Sequence, residues 1–226
     1  MVTVTVPSGG APAYQDPAFG GGDITYTNVN GGSNFPTGVK VVVSIAQASS
    51  NITGVLVGGN AATKIGGVND GTSTLDMYFY DCGSGVSDTV VIQGAGGGSH
   101  IGTNIEYLTG AATGAPSNTA NYTTTGGSDD CVSNLTVPSG GIGIGAAALI
   151  NGGAAGNPPT WSAGTRDASS TKNTTPFQEI SIGHISASGN LGVVGGNPYF
   201  FGSGRTFSAS WASGTTPATH LRYHKA

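Results

Sequence analysis

The sequence predicts an all-β protein, because short β-branched runs recur between clusters of glycine, proline, serine and asparagine. Glycine accounts for 41 of the 226 residues, and hydrophobic residues make up 37%. The turn signals recur at close to the spacing of about 8–12 residues that is typical of sandwiches and barrels. We therefore expect a single jelly-roll-like β-sandwich of roughly ten to twelve strands with almost no helix.

The predicted strands follow one another along the chain with turn residues between them. Residues 2–6 alternate strictly and predict the first strand. Residues 39–46 form the most strongly β-prone run, for which we expect a central strand. The other predicted strands cover residues 23–29, 52–57, 61–65, 73–81, 88–93, 100–108, 142–150, 161–166, 178–188, 192–194 and 206–211.

Two strands show which side chains should face the core. At residues 73–81, alternation places Leu75, Met77 and Phe79 on one face, which we expect to be the single core face of that strand. Residues 206–211 alternate in the same way. The pattern divides the chain into three segments: an N-terminal strand and extended arm at 1–38 packed on the main domain, a β-sandwich domain at 39–212, and a C-terminal tail at 213–226.

Residues 135–150 allow two interpretations. Gly143 begins a match to the G-x-G-x-x-A fingerprint of dinucleotide-binding loops, in which a helix must follow. The residues that follow, NGGAAGNPP, form helices poorly and loops well. We therefore favour a strand over Ile142–Ile150, with small residues on one face where another layer packs closely.

The composition argues against several classes of function. Charged residues make up only 8% of the chain and the net charge is −4, so a basic surface for nucleic acid is not expected. The first residues lack the pattern of a signal peptide, and no apolar run is long enough for a membrane helix. We expect synthesis in a cytoplasm, with no membrane or nucleic-acid partner.

Metal and cofactor sites are also not expected. The two cysteines, Cys82 and Cys131, exclude a four-cysteine zinc site and allow one disulfide. Whether they pair is left open, because cytoplasmic thiols begin reduced and oxidise only after release. His220 and His224 would share a face of a helix, but a terminal tail is the favoured interpretation.

No pattern in the sequence identifies a catalytic residue. The serine-hydrolase elbow and the calcium-binding loop are both absent from the sequence. A glycosidase needs two carboxylates, and a sheet could bring Asp76 to Glu106 or Asp81 to Asp129, although no spacing rule selects either pair. We therefore expect a protein that is not an enzyme.

Several segments together resemble a family of virion proteins of tailed bacteriophages. The resemblance covers roughly residues 40–211 and rests on glycine-rich β patterns; the N-terminal forty residues and residues 190–201 depart from it. It implies a β-rich structural or surface-exposed virion protein and supplies no active-site residues. The segments that carry it are residues 55–65 (VLVGGNAATKI), 73–81, 89–92, 107–111 (YLTGA), 135–149 and 161–165 (WSAGT).

Three functional hypotheses follow from this resemblance. The first is a capsid decoration or head-auxiliary protein, present in many copies or as a homo-oligomer on the virion, released by lysis, and bound to the major capsid protein or other virion proteins. The second is a tail-fibre or receptor-binding module for a host surface glycan, and the third is a glycan depolymerase. The candidate surface-binding aromatic residues are Tyr78, Tyr80, Tyr122, Trp161 and Tyr199.

Overall fold

The all-β class is confirmed by a computed structural model, in which every regular element of the described residues is a β-strand. The structure describes residues 2–5, 22–47, 52–69, 74–94, 101–125, 131–150, 160–161, 165–172, 178–194, 203–214 and 219–225. These residues form more strands than the ten to twelve predicted. The strands are β1 (Val2–Thr5), β2 (Ile24–Thr27), β3 (Lys40–Gln47), β4 (Gly54–Val57), β5 (Asn60–Ala61), β6 (Thr63–Asn69), β7 (Thr74–Asp81), β8 (Val90–Gln93), β9 (Ile101–Thr109), β10 (Asn118–Thr125), β11 (Cys131–Leu135), β12 (Ile142–Ile150), β13 (Thr160–Trp161), β14 (Thr165–Lys172), β15 (Gln178–Ile185), β16 (Gly189–Val194), β17 (Ser203–Trp211) and β18 (Thr219–Lys225).

The strands pair into four sheets. The first sheet has the order β1-β2-β8-β4-β5, and the second has the order β18-β9-β3-β7-β6. The third sheet has the order β10-β17-β12-β15-β14, and the fourth has the order β11-β16-β13. Neighbouring strands are antiparallel except for β1 and β2, which are parallel. These pairings do not establish a jelly roll, which stays a prediction.

Among the described residues, three cores lie between successive sheets, so the sheets stack in the order first, second, third, fourth. The first core lies between the first and second sheets, and the second core lies between the second and third. The third core, with Leu135, Val137 and Ile185, joins the third sheet to the fourth. The central strands β3 and β12 of the second and third sheets are therefore covered on both faces.

Burial on both faces is clearest in β3, which is buried along its whole length. Val41, Val43 and Ile45 enter the first core, and Val42 and Ala46 enter the second. Because β3 pairs with β7 on one side and β9 on the other, it is the central strand that its composition predicts.

The prediction of a single core face is wrong for β7. Leu75, Met77 and Phe79 do enter the second core, as predicted. The opposite face is also covered, however, because Tyr78 is buried in the first core against the first sheet. Strict alternation normally indicates one solvated face, and here the additional sheet removes it.

The predicted strand at Ile142–Ile150 is confirmed as β12, which pairs with β15 and β17. Ile144 and Ala146 enter the second core. On the opposite face, a Cβ added to Gly143 would lie 2.6 Å from Leu135 Cδ2 and 3.2 Å from Ile185 Cγ1. The glycine therefore allows the fourth sheet to approach, as the small residues predict, and the nucleotide-loop interpretation is wrong.

Both chain ends contribute strands. Within the predicted N-terminal arm, β1 and β2 belong to the first sheet. Thr219–Lys225, in the predicted C-terminal tail, forms β18 and pairs with β9. These strands extend the sheets on either side of the first core.

Candidate functional site

A buried lysine and an aspartate face each other at one end of the second sheet. Lys40 begins β3, Asp81 ends β7, and the antiparallel register pairs them directly. The Lys40 ammonium contacts an oxygen of the Asp81 carboxylate. The Lys40 side chain is 2% exposed and the Asp81 side chain 31%, so the pair lies at the border between the second core and solvent.

Gly114 holds this pair from the loop between β9 and β10. Its N–H donates to Asp81 Oδ2 at 2.6 Å, and its carbonyl oxygen accepts from Lys40 Nζ at 3.1 Å. The same carbonyl accepts from Trp211 Nε1 at 3.1 Å. Gly114 has a φ of +86°, which favours glycine at this position.

The loop that carries Gly114 is attached to the segment following β17. Ala112 N donates to Ala212 O at 2.9 Å, and Gly214 N donates to Gly110 O at 2.6 Å. These backbone bonds fix the loop above the end of the second core. Gly114 is therefore positioned by backbone bonds between its loop and the segment that follows β17.

Two aromatic rings cover the lysine. Lys40 Nζ lies 4.5 Å from the centroid of the Phe79 ring and 5.4 Å from that of the Trp211 ring. The rings meet edge to face, with centroids 6.2 Å apart. We call Lys40, Asp81, Gly114, Phe79 and Trp211 the Lys40 cluster. Such rings attract the cation and exclude water from it.

Burial and charge act in opposite directions on the lysine. Burial lowers the pKa of Lys40, because a low-dielectric environment disfavours the charged form, and the neighbouring Asp81 raises it in part. Burial raises the pKa of the next residue, Cys82, to about 11. The Cys82 thiol is therefore protonated near neutral pH.

An open cleft of about 510 Å³ lies beside the Lys40 cluster. It is lined by residues 109–113 together with Gly38 and Gly214. All of these are glycine, alanine or threonine, so the cleft offers backbone groups and hydroxyls to whatever enters it.

The predicted surface aromatics differ in how far they are buried. Tyr78 is buried, so its prediction as a surface residue is wrong, because the first sheet covers its face of β7. Tyr80 is partly buried against the first core. Trp161 lies on β13, but its side chain, like all of Tyr199, falls outside the described residues.

Tyr122 differs from the other aromatics because it is 41% exposed. Among the described residues, it is a large hydrophobic residue that lies on the surface. It lies on β10, the edge strand of the third sheet, whose sequence is NTANYTTT. Thr119, Asn121 and Thr123 are exposed beside it. We call residues 118–125 the β10 edge.

The candidate carboxylate pairs are not assembled. Asp76 forms an ion pair with Lys64 at 2.9 Å. Asp76 is the register partner of Ile45, which faces the first core. Glu106 pairs in register with Val42, which faces the second core, so the two carboxylates point to opposite faces of the second sheet. Asp81 is held in the Lys40 cluster, and Asp129 lies outside the described residues.

The disulfide left open by the sequence is not formed. Cys82 and Cys131 are both free and buried. Cys82 belongs to the first core, whereas Cys131 lies on β11 of the fourth sheet, so the second and third sheets separate them. Burial raises the pKa of Cys131 to about 11, which favours its protonated form.

Neither a metal centre nor a membrane helix is found in the part of the chain that the structure describes. Within those residues, histidine, cysteine and acidic side chains form no group of three that could hold a metal ion. No helix there has the length and apolar character needed to cross a membrane.

One residue of the sequence points to the Lys40 cluster. Lys40 is the one charged residue within the β-prone run at 39–46. A lysine that begins a strand buried on both faces needs a partner, because lysine is almost never fully buried unpaired. The identity of that partner depends on the β3–β7 register, and Gly114 depends on a loop, so neither could be read from the sequence.

Comparison of the chain with protein-family models, with curated proteins and with solved structures finds no match. The resemblance to tailed-phage virion proteins therefore stays a prediction.

Proposed function

We propose that this chain is a non-enzymatic virion structural protein of a tailed bacteriophage, acting as a capsid decoration or head-auxiliary protein in many copies. The partners in this proposal are the major capsid protein or other virion proteins. The resemblance over residues 40–211 supports it. A jelly-roll-like arrangement is part of the same proposal, because jelly rolls are common in viral capsid domains.

The observation that carries the proposal is the β10 edge. It presents Tyr122 among exposed threonine and asparagine residues on the border of the third sheet. Tyrosine combines apolar area with a hydroxyl and is enriched in protein interfaces, whereas charged residues are depleted at their centres. No residue of NTANYTTT is charged or proline, so nothing in the strand opposes pairing with another chain.

Many weak contacts would be sufficient on a particle. Specific interfaces bury about 1,200–2,000 Å² in total. A protein that makes several contacts with a shell can stay bound through smaller individual contacts. Once the first contact has formed, the effective concentration of the groups that make the next contact is raised.

Cryo-electron microscopy of the phage particle tests the location. We expect many symmetry-related copies over the head, with the β10 edge at a contact. A few copies at the tail tip would contradict the head assignment.

In a binding assay with heads lacking this chain, Tyr122→Ala should weaken binding by about tenfold or more, the effect of losing an interface anchor. Thr53→Ala, an exposed change just before β4 in the first sheet, is the matched control and should bind normally.

A second candidate is a tail-fibre or receptor-binding module for a host surface glycan. The same exposed Tyr122 favours it, because an aromatic face flanked by hydroxyls and amides suits a sugar ring and its hydroxyl groups. In this case Tyr122→Ala should abolish binding to purified host polysaccharide while Tyr122→Phe retains most of it. New reducing ends in that mixture would instead favour the glycan depolymerase and overturn the non-enzymatic proposal.

A further inference from the structure

We propose that Lys40 and Asp81 become joined by an intramolecular isopeptide bond between Lys40 Nζ and Asp81 Cγ. The proposal is independent of the virion function. It rests on the geometry of the Lys40 cluster, in which a buried amine and a partly exposed carboxyl group are held in contact at the border of the second core.

The reacting groups are placed by the two strands that carry them. Lys40 and Asp81 are register partners, and directly opposed side chains start from Cβ atoms about 4.5–5.5 Å apart. Their terminal groups are already in contact. Holding two reactants in this way replaces a bimolecular encounter by an intramolecular step with a very high effective concentration.

The environment favours the uncharged amine. Phe79 and Trp211 cover the amine, and the Lys40 side chain is almost fully buried. Burial lowers the pKa of Lys40 and so increases the fraction of neutral, nucleophilic amine. Proton transfer from the ammonium to the carboxylate within the pair gives the amine and the carboxylic acid that the reaction needs.

The atoms and charges of the step balance without another reactant. The lone pair of Lys40 Nζ attacks Asp81 Cγ, and the carbonyl π electrons move to oxygen to give a tetrahedral intermediate. The intermediate re-forms the carbonyl as the C–OH bond breaks, and a nitrogen proton passes to the departing hydroxyl. Ammonium and carboxylate together become one neutral amide and one water molecule, with no oxidation or reduction.

Gly114 supplies two contacts that suit this step. Its N–H, 2.6 Å from Asp81 Oδ2, is placed to stabilise negative charge on that oxygen in the intermediate. Its carbonyl oxygen, 3.1 Å from Lys40 Nζ, orients the amine. Asp81 is the more exposed partner, so the released water has a path to solvent.

Mass spectrometry of the denatured full-length protein tests the proposal directly. We expect the wild-type chain to be lighter by one water molecule than the same chain carrying Asp81→Ala, after correction for the substituted residue. Trypsin should fail to cleave after Lys40 and should release a branched product that joins residues 1–64 to residues 65–166. The Asp81→Ala chain should give separate peptides 1–40, 41–64 and 65–166.

Asp81→Asn is a sharper variant, because an amide can serve as the electrophile and loses ammonia in place of water. We expect its chain to be lighter by one ammonia and to give the same branched product. Lys40→Arg, which keeps the positive charge, should show neither the mass loss nor the branch. A wild-type chain of full mass that trypsin cleaves after Lys40 would overturn the proposal and leave a non-covalent ion pair, whether or not the variants fold.

Discussion

The first and third cores join sheets in different ways. The first core is filled by large side chains such as Ile45, Ile92 and Tyr26, contributed by both of its sheets. The third core has a small apolar group around Leu135 and Ile185 and relies on small and hydroxyl-bearing residues for the rest. One interface excludes water by apolar volume, and the other combines close approach with hydrogen bonds.

The hydroxyl contacts of the third core form a regular series along β17. Thr206 Oγ1 donates to Cys131 O at 2.6 Å, and Ser210 Oγ donates to Thr136 O at 2.7 Å. Between them, Ser133 Oγ and Ser208 Oγ lie 2.7 Å apart. From Thr206 to Ser210, every second residue of β17 therefore bonds to β11 or to Thr136, which follows β11. The satisfied hydroxyls allow a polar strand face to be buried.

The difference between the first and third cores shows that two sheets can pack together without large apolar side chains. Glycine and hydroxyl-bearing residues can take their place. It also predicts that the two cores respond differently to substitution. The first core should be sensitive to lost volume and to charge, and the third core to added volume and to lost hydrogen bonds.

The largest effect is expected from removing volume in the first core. Ile45 is fully buried on central strand β3, so Ile45→Ala should lower the free energy of unfolding by about 2–5 kcal/mol through lost burial and a residual cavity. Leu56→Ala on β4 is the matched control, because Leu56 is only half-buried on the opposite face from Val55 and Val57. Denaturant unfolding measures both, and equal losses would contradict the assignment of the first core.

The first core should also weaken at alkaline pH. Burial raises the pKa of Tyr26 to about 12, and its hydroxyl donates to Thr103 Oγ1 at 3.0 Å. Because the unfolded phenol ionises near its ordinary pKa of about 10, the unfolded state loses its proton first as the pH rises. The contribution of Tyr26 is present below about pH 10 and is lost as the pH rises toward about 12, amounting to about 2–3 kcal/mol.

Tyr26→Phe separates this titration from the other alkaline changes. The substitution removes the bond to Thr103, which lowers stability at neutral pH, and it removes the ionisable hydroxyl, which reduces the slope of stability against pH. Urea unfolding between about pH 9 and about pH 11 should show the smaller slope. An unchanged slope would mean that the Tyr26 hydroxyl is accessible to solvent.

The contrast between the cores also explains what the sequence could predict. The β-branched run at 39–46 and the glycine-rich turns indicated the class and the central strand, because both signals are local. The hydroxyl face of β17 could not be assigned, because alternation of Phe207, Ala209 and Trp211 with serine and threonine is the pattern of a half-exposed strand. The burial of this face depends on the fourth sheet, whose position cannot be predicted from the local sequence.

For the candidate site, too, local sequence patterns predicted some features, and the rest depended on how the sheets pack. Tyr122 was among the predicted surface aromatics, but its exposure depends on its place on an edge strand. Tyr78 belongs to an equally aromatic segment and is buried by the first sheet. The Lys40–Asp81 pair depends on register between strands that are distant in sequence, which composition and periodicity do not determine.

Added volume should destabilise the third core by a smaller amount. A Cβ at Gly143 would meet Leu135, Val137 and Ile185 at 2.6–3.2 Å, so Gly143→Ala forces the fourth sheet to shift. Ala147 is buried on the same face of β12, and Ala147→Leu should act similarly. We expect each to cost about 1–3 kcal/mol by overpacking.

Gly189→Ala on β16 is the matched control, because an added Cβ there meets no atom within 4 Å. It should leave the midpoint of thermal unfolding nearly unchanged. If Gly143→Ala were as harmless as Gly189→Ala, the close approach of the third and fourth sheets would be wrong.

The smallest effects are expected from single hydroxyls of the third core, and they should be unequal. Ser208 Oγ also donates to Ala120 O at 3.3 Å, so Ser133 supplies the proton of the Ser133–Ser208 bond. Ser133→Ala leaves Ser208 with its Ala120 partner and should cost about 1 kcal/mol. Ser208→Ala removes the acceptor of Ser133 and the donor to Ala120, so it should cost more.

A double-mutant cycle separates the shared bond from these other contacts. The Ser133→Ala, Ser208→Ala chain should be destabilised by less than the sum of the single changes, with a coupling of about 0.5–1 kcal/mol, because the bond can be lost only once. Ser117→Ala, whose hydroxyl accepts from Ala212 N at 3.3 Å outside this core, should be additive with either change. Additivity of Ser133 and Ser208 themselves would show that packing of small residues, and not the hydroxyl series, holds the third and fourth sheets together.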